Sequence, residues 1–231
     1  MTRSTPLIEA LDLTKTYGAT QALRCASLRL DPGEILAVTG PSGSGKSTLL
    51  HCLSGIVRPD SGSVRYGGEQ LDQASETRRS ELRRSEFGVV FQFGQLVGEL
   101  TALDNVALPL LLAGASRKAA QESAGEWLER FGVRGQAALR PGEMSGGQAQ
   151  RVALARAMVT RPRAVFADEP TGALDSLAGE QVMTALVHAA RESSTAVLLI
   201  THDAQVAAYA DREAQVRDGV VTDEASAQVA S

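Results

Sequence analysis

Ile35-Leu-Ala-Val-Thr39 is a continuous apolar run, the pattern of a strand buried on both faces. Phe87–Phe91, Arg163–Ala167 and Thr195–Ile200 read as further strands of the same short, apolar kind. Helices are expected at 47–56, 176–190 and 204–210. Buried strands alternating with helices predict an α/β fold whose parallel sheet is covered on both faces. The first thirty residues read differently. Leu7–Leu13 and Ala22–Leu30 suggest two strands, with Asp31-Pro-Gly33 as a turn. Ser63–Tyr66 adds another strand, closed by Gly67-Gly68. Between Thr101 and Thr160 helices dominate. Thr101 with Asp104 predicts a capped helix through Leu112. Ser116 caps a second, with Ala120, Ala124, Trp127, Leu128 and Phe131 on one face and Trp127 in its core. A third is expected at 148–160. This stretch reads as a helical insertion, while 222–231 is small and polar and reads as a frayed tail.

Composition narrows the class. The chain has 231 residues, enough for one large domain or one domain with a subdomain. Apolar residues at 43% and charged residues at 22% exclude a mostly disordered chain. A net charge of −4 argues against a polycation that coats nucleic acid. Two cysteines, Cys25 and Cys52, make neither a disulfide framework nor a zinc cluster, and fit a reducing cytosol. Cys52 is expected as buried packing. The first ten residues reach an acid at Glu9 and do not read as a signal peptide. The longest apolar stretch, Val106–Ala113, is interrupted by Pro109, and a membrane span needs about 20 apolar residues. Any membrane role is therefore expected to come through a partner.

Gly40-Pro41-Ser42-Gly43-Ser44-Gly45-Lys46-Ser47, followed by Thr48, matches G-x-x-x-x-G-K-[ST] between a buried strand and a helix. Glycines let the backbone curl so that successive N–H groups face phosphate oxygens. The following helix adds its N-terminal partial charge. Lys46 suits neutralisation of the β- and γ-phosphates, and the Ser47 hydroxyl suits Mg²⁺. Nucleoside triphosphate is the expected ligand.

Arg163-Ala-Val-Phe-Ala-Asp168-Glu169 is a short strand ending in two carboxylates. Strand C-termini of parallel sheets form the ligand crevice. Asp168 is placed there to hold Mg²⁺, directly or through water, and Glu169 to act as general base toward water. Gln92 and His202 end two other strands.

Met144-Ser-Gly-Gly-Gln148-Ala-Gln-Arg151 is the most specific segment. With the other motifs in this order, the chain from about Leu7 to Gly219 resembles the ATPase subunit of an ATP-binding cassette transporter. The resemblance implies a RecA-like P-loop core with an N-terminal antiparallel β subdomain and a helical subdomain inserted at about 93–160, in a single domain spanning 1–221. It implies that Tyr17 stacks on adenine and that residues 40–48 hold the phosphates. Ser145, Gly146, Gly147 and Gln148 match the signature motif. Asp175, in Ala173-Leu-Asp175, matches the loop that crosses the dimer interface. Gln92 senses the γ-phosphate and joins Ser47 and Asp168 among the Mg²⁺ ligands. Glu169 is the catalytic acid residue, and His202 contacts the γ-phosphate. It further implies a head-to-tail dimer that sandwiches ATP, a separate transmembrane permease, and a place on the cytoplasmic membrane face. Nucleic acid is not an expected partner.

Two positions depart from the family pattern: Met144 stands where Leu is usual, and Ala149 where a second Gln is commoner. Both leave the glycine pair and Ser145 in place. The segments 91–110 and 167–176 resemble the lipoprotein-release, macrolide-export and antimicrobial-peptide-resistance group, which commonly has Asn where this chain has Ala173. A soluble cassette ATPase acting on nucleic acid or ribosomes is the alternative, and a kinase would leave 144–151 and His202 unexplained. The basic cluster Thr77–Arg84 is either a solvated helix face or a contact for membrane or nucleic acid. The helix at Val106–Ala113 is either core or permease-facing.

Overall fold

The computed structural model describes residues 5–92 and 95–223. The chain forms two compact units, one from the N-terminal residues through Ser80 together with the residues from Ala196 onward, the other from Glu81–Thr195.

The first unit holds two sets of strands. β1 (Ile8–Tyr17), β2 (Thr20–Leu30), β4 (Ser61–Tyr66) and β5 (Glu69–Gln70) form an antiparallel sheet in the order β2-β1-β4-β5. β3 (Ile35–Thr39) lies parallel to both β8 (Ala196–Ile200) and β9 (Arg212–Arg217), and β10 (Val220–Asp223) returns antiparallel to β9. Leu36, Ala37 and Val38 pair with Leu198, Leu199 and Ile200 and are removed from solvent. Their continuous apolar character follows from burial on both faces. α1 (Lys46–Leu53) follows β3, and the short α7 (Ala204–Ala207) follows β8. Arg212 ties this unit together. Its guanidinium donates to Glu34 at 2.7 Å, to Asp223 at 2.5 Å and to the Arg29 carbonyl at 2.7 Å.

α2 (Glu76–Ser85) carries the chain from the first unit to the second. In the second unit β6 (Phe87–Val90) runs parallel to β7 (Ala164–Asp168), with Phe87 and Phe166 edge to face at 5.4 Å. Among the described residues its α-helices are α3 (Ala102–Leu112), α4 (Arg117–Arg130), α5 (Gly146–Met158) and α6 (Ser176–Ser193). α3, α4 and α5 pack on one another, and α5 also touches β6 and α6. The Thr101 and Ser116 hydroxyls accept from the amides of Asp104 and Ala119, the caps their positions predict. Trp127 is buried and stacks with Phe131 at 6.2 Å, the core role expected of it.

Several boundaries differ from the sequence reading. β7 runs one residue further, so Asp168 is its last residue. α5 starts at Gly146 because Ser145 caps it. α7 stops at Ala207, where a second turn was expected. Of the expected tail, Thr222 and Asp223 belong to β10, and 224–231 lies outside the described residues. Residues 93 and 94, at the start of the expected insertion, also lie outside them. The basic cluster is engaged within the protein. Arg78 forms a fork with Glu69 at 3.0 and 2.8 Å, Arg79 pairs with Glu76 and the Gly55 carbonyl, and Arg84 donates to the Leu112 carbonyl at 3.3 Å. That favours the helix-face reading over a contact for membrane or nucleic acid.

Candidate functional site

In the first unit, Thr39 ends β3 and the chain curls through Gly40–Gly45 into α1. Gly40, Gly43 and Gly45 have φ of 140°, 76° and 107°, the left-handed values that side chains resist. At Gly45 space is also decisive, because a Cβ would lie 2.2 Å from the Ala22 carbonyl oxygen. The Lys46 ammonium is buried and donates to the carbonyls of Gly40 at 2.9 Å and Pro41 at 2.8 Å, so it lies along the loop. The Ser44 hydroxyl is buried and has no hydrogen-bond partner among the described residues. Ser42 and Ser47 are exposed, and Thr48 is half-buried. α1 has no acid in its first turn, leaving its N-terminal amides and partial positive charge for an anion.

His202 follows Thr201 beyond β8 and lines, with Gly40 and Pro41, a cavity of about 570 Å³. The structure thus brings His202 beside the start of the loop. Tyr17 ends β1 and is exposed, with the Lys15 ammonium 5.6 Å from its ring centroid. Lys15 is anchored to Asp60 at 2.7 Å, and that hydrogen bond raises its pKa and lowers that of Asp60.

In the second unit, Gln92 leaves β6 and Asp168 ends β7. Glu169 follows with φ 47°, a left-handed conformation uncommon outside glycine. The Gly172 amide donates to the Glu169 carbonyl at 3.1 Å, closing a tight turn. A Cβ on Gly172 would lie 3.2 Å from Gln92 Nε2 and 3.5 Å from Glu169 Cβ. Gln92 and Glu169 are therefore neighbours across a glycine, as two converging strand ends require.

Ser145 stands at the head of α5. Its hydroxyl accepts from the Gln148 amide at 3.3 Å, and the Gln148 side chain accepts from the Ser145 amide at 2.9 Å. This reciprocal box holds the helix end rigid. Ser145 and Gly146 are exposed there, while Gly147 is buried with Ala178 Cβ 3.2 Å from where its Cβ would stand. A Cβ on Gly146 would lie 3.6 Å from Leu174 Cδ2. Asp175 caps α6, accepting from the Ala178 amide at 2.9 Å. The signature residues and the 173–175 loop are thus side by side.

Sequence reasoning missed Arg156. Its Nη1 donates to the Gln95 carbonyl at 3.0 Å, three residues beyond Gln92, and burial holds its pKa below the ordinary arginine value. The signal was an arginine within the apolar run Val152–Met158. It also missed Asn105, which is buried and bonds both backbone groups of Val97.

A glycine-rich loop between a buried parallel strand and a helix, with its lysine against the loop, defines a P-loop nucleoside triphosphatase. The profile of the ABC transporter family matches residues 23–172, and the chain belongs to that family. The lipoprotein-releasing system ATP-binding protein LolD of Hyphomonas neptunium is 41% identical over 94% of this chain and 97% of its own length. LolD of Geobacter metallireducens is 42% identical over 93% and 97%. The pyoverdine export ATP-binding/permease protein PvdT of Pseudomonas putida is 42% identical over 97% of this chain but only 35% of its own length. Among solved structures, the dimeric post-hydrolysis state of the ATP-binding cassette MJ0796 bound to ADP and Pi has a TM-score of 0.87 at 36% identity, over 93% of this chain and 96% of that one. The fold is that of the cassette ATPases, and the chain is an ATP-hydrolysing, nucleotide-binding subunit of an ABC transporter.

Proposed function

We propose that this subunit powers release or export of a lipoprotein or similar hydrophobic cargo by a separate permease, at the cytoplasmic face of the membrane. The observation that carries the reading is the match to lipoprotein-releasing ATPases along nearly their whole length. Among the described residues no helix is long and apolar enough to cross a membrane, which is consistent with a separate permease.

Residues 40–48 bind the phosphates of ATP, with Lys46 leaving the loop carbonyls to meet the β- and γ-phosphates. Tyr17 stacks on adenine. The Glu169 carboxylate takes a proton from water. The water oxygen attacks the γ-phosphorus and the bond to the ADP oxygen breaks, releasing ADP and phosphate. His202 holds the γ-phosphate in line. The hydroxyl of Ser47, the amide oxygen of Gln92 and the carboxylate of Asp168 are hard oxygen donors of the kind Mg²⁺ takes beside nucleotide phosphates. The described residues hold no cluster of three His, Cys, Asp or Glu side chains that would make a cage for some other metal. When bound, Mg²⁺ neutralises charge on the phosphate oxygens.

Ser145, Gly146, Gly147 and Gln148 form an anion site at the head of α5, which serves the nucleotide of a second copy in a head-to-tail dimer. ATP then closes the dimer, and loss of the γ-phosphate opens it.

Glu169→Gln is expected to keep ATP binding and stop turnover, measured as phosphate release beside nucleotide affinity. Hydrolysis at the wild-type rate contradicts the assignment. ATP-loaded Glu169→Gln is further expected to co-purify a permease from detergent-solubilised membranes. Recovery of ribosomes or DNA with no membrane protein contradicts the transport reading.

A further inference from the structure

The turn between β9 and β10 is Asp218-Gly219, with Arg217 paired to Val220. Both turn residues have positive φ, 49° and 79°, the geometry of a type I′ hairpin. The turn is bonded beyond its own hairpin. The Gly219 amide donates to the Ser44 carbonyl, inside the phosphate loop, at 2.9 Å. The Gly219 carbonyl accepts from the Arg24 amide of β2 at 2.8 Å. A Cβ on Gly219 would lie 2.8 Å from the Ala22 carbonyl oxygen, and a Cβ on Gly45 would lie 2.2 Å from that same oxygen. A Cβ on Gly40 would strike the Val216 carbonyl, also on β9, at 2.1 Å. The loop therefore rests on backbone carbonyls at both ends.

This arrangement has a consequence for phosphate binding. In a trans peptide the C=O and N–H point in opposite directions. Holding the Ser44 carbonyl against the Gly219 amide fixes the Ser44–Gly45 peptide plane and turns the Gly45 N–H away from the hairpin. A fixed amide is what an anion cradle needs, because no reorganisation remains when phosphate arrives. The accepted bond also polarises that peptide and strengthens its N–H as a donor.

We propose that the Asp218-Gly219 turn is a brace that presets the phosphate loop, and that Gly219 is a positioning residue for nucleotide binding. The proposal rests on the reading of residues 40–48 as the phosphate site. It assigns affinity, not chemistry, to the brace.

The test compares Gly219→Ala with Gly68→Ala and Lys46→Met in the full-length chain. Gly68 has φ 88° in another turn, with nothing within 4 Å of its would-be Cβ, so it carries the backbone strain without the clash. Gly219→Ala is expected to raise KM for ATP and the Kd for ADP about tenfold, with kcat within about threefold. Gly68→Ala is expected to lower Tm and leave both affinities within about twofold. Equal affinities in the two alanine variants, or a fall in kcat with KM unchanged, overturns the proposal. If Lys46→Met binds ADP like wild type, the phosphate-site reading itself fails. Hydrogen exchange of the unaltered chain gives the same answer should Gly219→Ala not fold. Saturating ADP is expected to slow exchange of the Gly219 and Arg24 amides at least about fivefold, leaving that of Gly67 unchanged. No slowing at Gly219 overturns the brace.

Discussion

Cys52 and Cys25 show how local environment separates two identical groups. Cys52 lies on the buried side of α1, and burial pushes its thiol pKa up to about 11. Cys25 is exposed on β2. A maleimide is expected to label one thiol per native chain and two after unfolding, read by mass. Native labelling of both contradicts the packing. The same shift has a pH signature. The native state favours the neutral Cys52 thiol, so its contribution is complete below the unfolded value near 9 and is lost as pH rises toward 11. Denaturant stability is expected to fall across that window, by at most about 3 kcal/mol from this group. Arg212 is the second residue with large leverage. Burial lowers its pKa, but the bonds to Glu34 and Asp223 outweigh burial and leave it raised. Arg212→Met removes the guanidinium beside the buried Asp223 carboxylate and is expected to cost about 3 kcal/mol by urea melts. A loss under about 0.5 kcal/mol contradicts that role.

At the scale of elements, legibility followed burial. β3 and β8 were plain in the sequence because strands covered on both faces are apolar throughout. The phosphate loop was plain because only glycine fits backbone at φ 107° against another carbonyl. β9 was not, because its residues alternate and the outward ones are Glu213, Gln215 and Arg217. The Asp-Gly turn after it carried a hairpin signal that such a polar strand conceals. The Glu169 turn was legible as a pair of acids but not as a strained backbone, since left-handed geometry at a glutamate has no residue signature. The entry to α3 depends on Asn105, whose amide donates to the carbonyls of Val97, Leu100 and Thr101 at 3.0, 3.2 and 3.1 Å. Polar side chains inside a helix pattern read as surface, so this one was invisible. Asn105→Leu keeps the branching of the side chain but removes the acceptor of the Val97 amide and the donor to the Leu100 carbonyl. It is expected to cost about 2–4 kcal/mol and to speed hydrogen exchange in 97–101. Unchanged exchange there contradicts the anchoring role.

For the whole molecule, each compact unit carries its own share of the motifs. The phosphate loop, Tyr17 and His202 lie in the first, and Gln92, Asp168, Glu169 and the signature residues in the second. Ser145 and Gly146 are exposed at a capped helix end, as the proposed anion site for a second copy requires. In the proposed cycle ATP binding joins two such chains and Glu169 chemistry parts them. Light scattering of Glu169→Gln with and without saturating ATP tests it most directly. The expected result is the mass of one chain without nucleotide and of two chains with ATP. A single-chain mass at saturating ATP, with nucleotide bound, contradicts it.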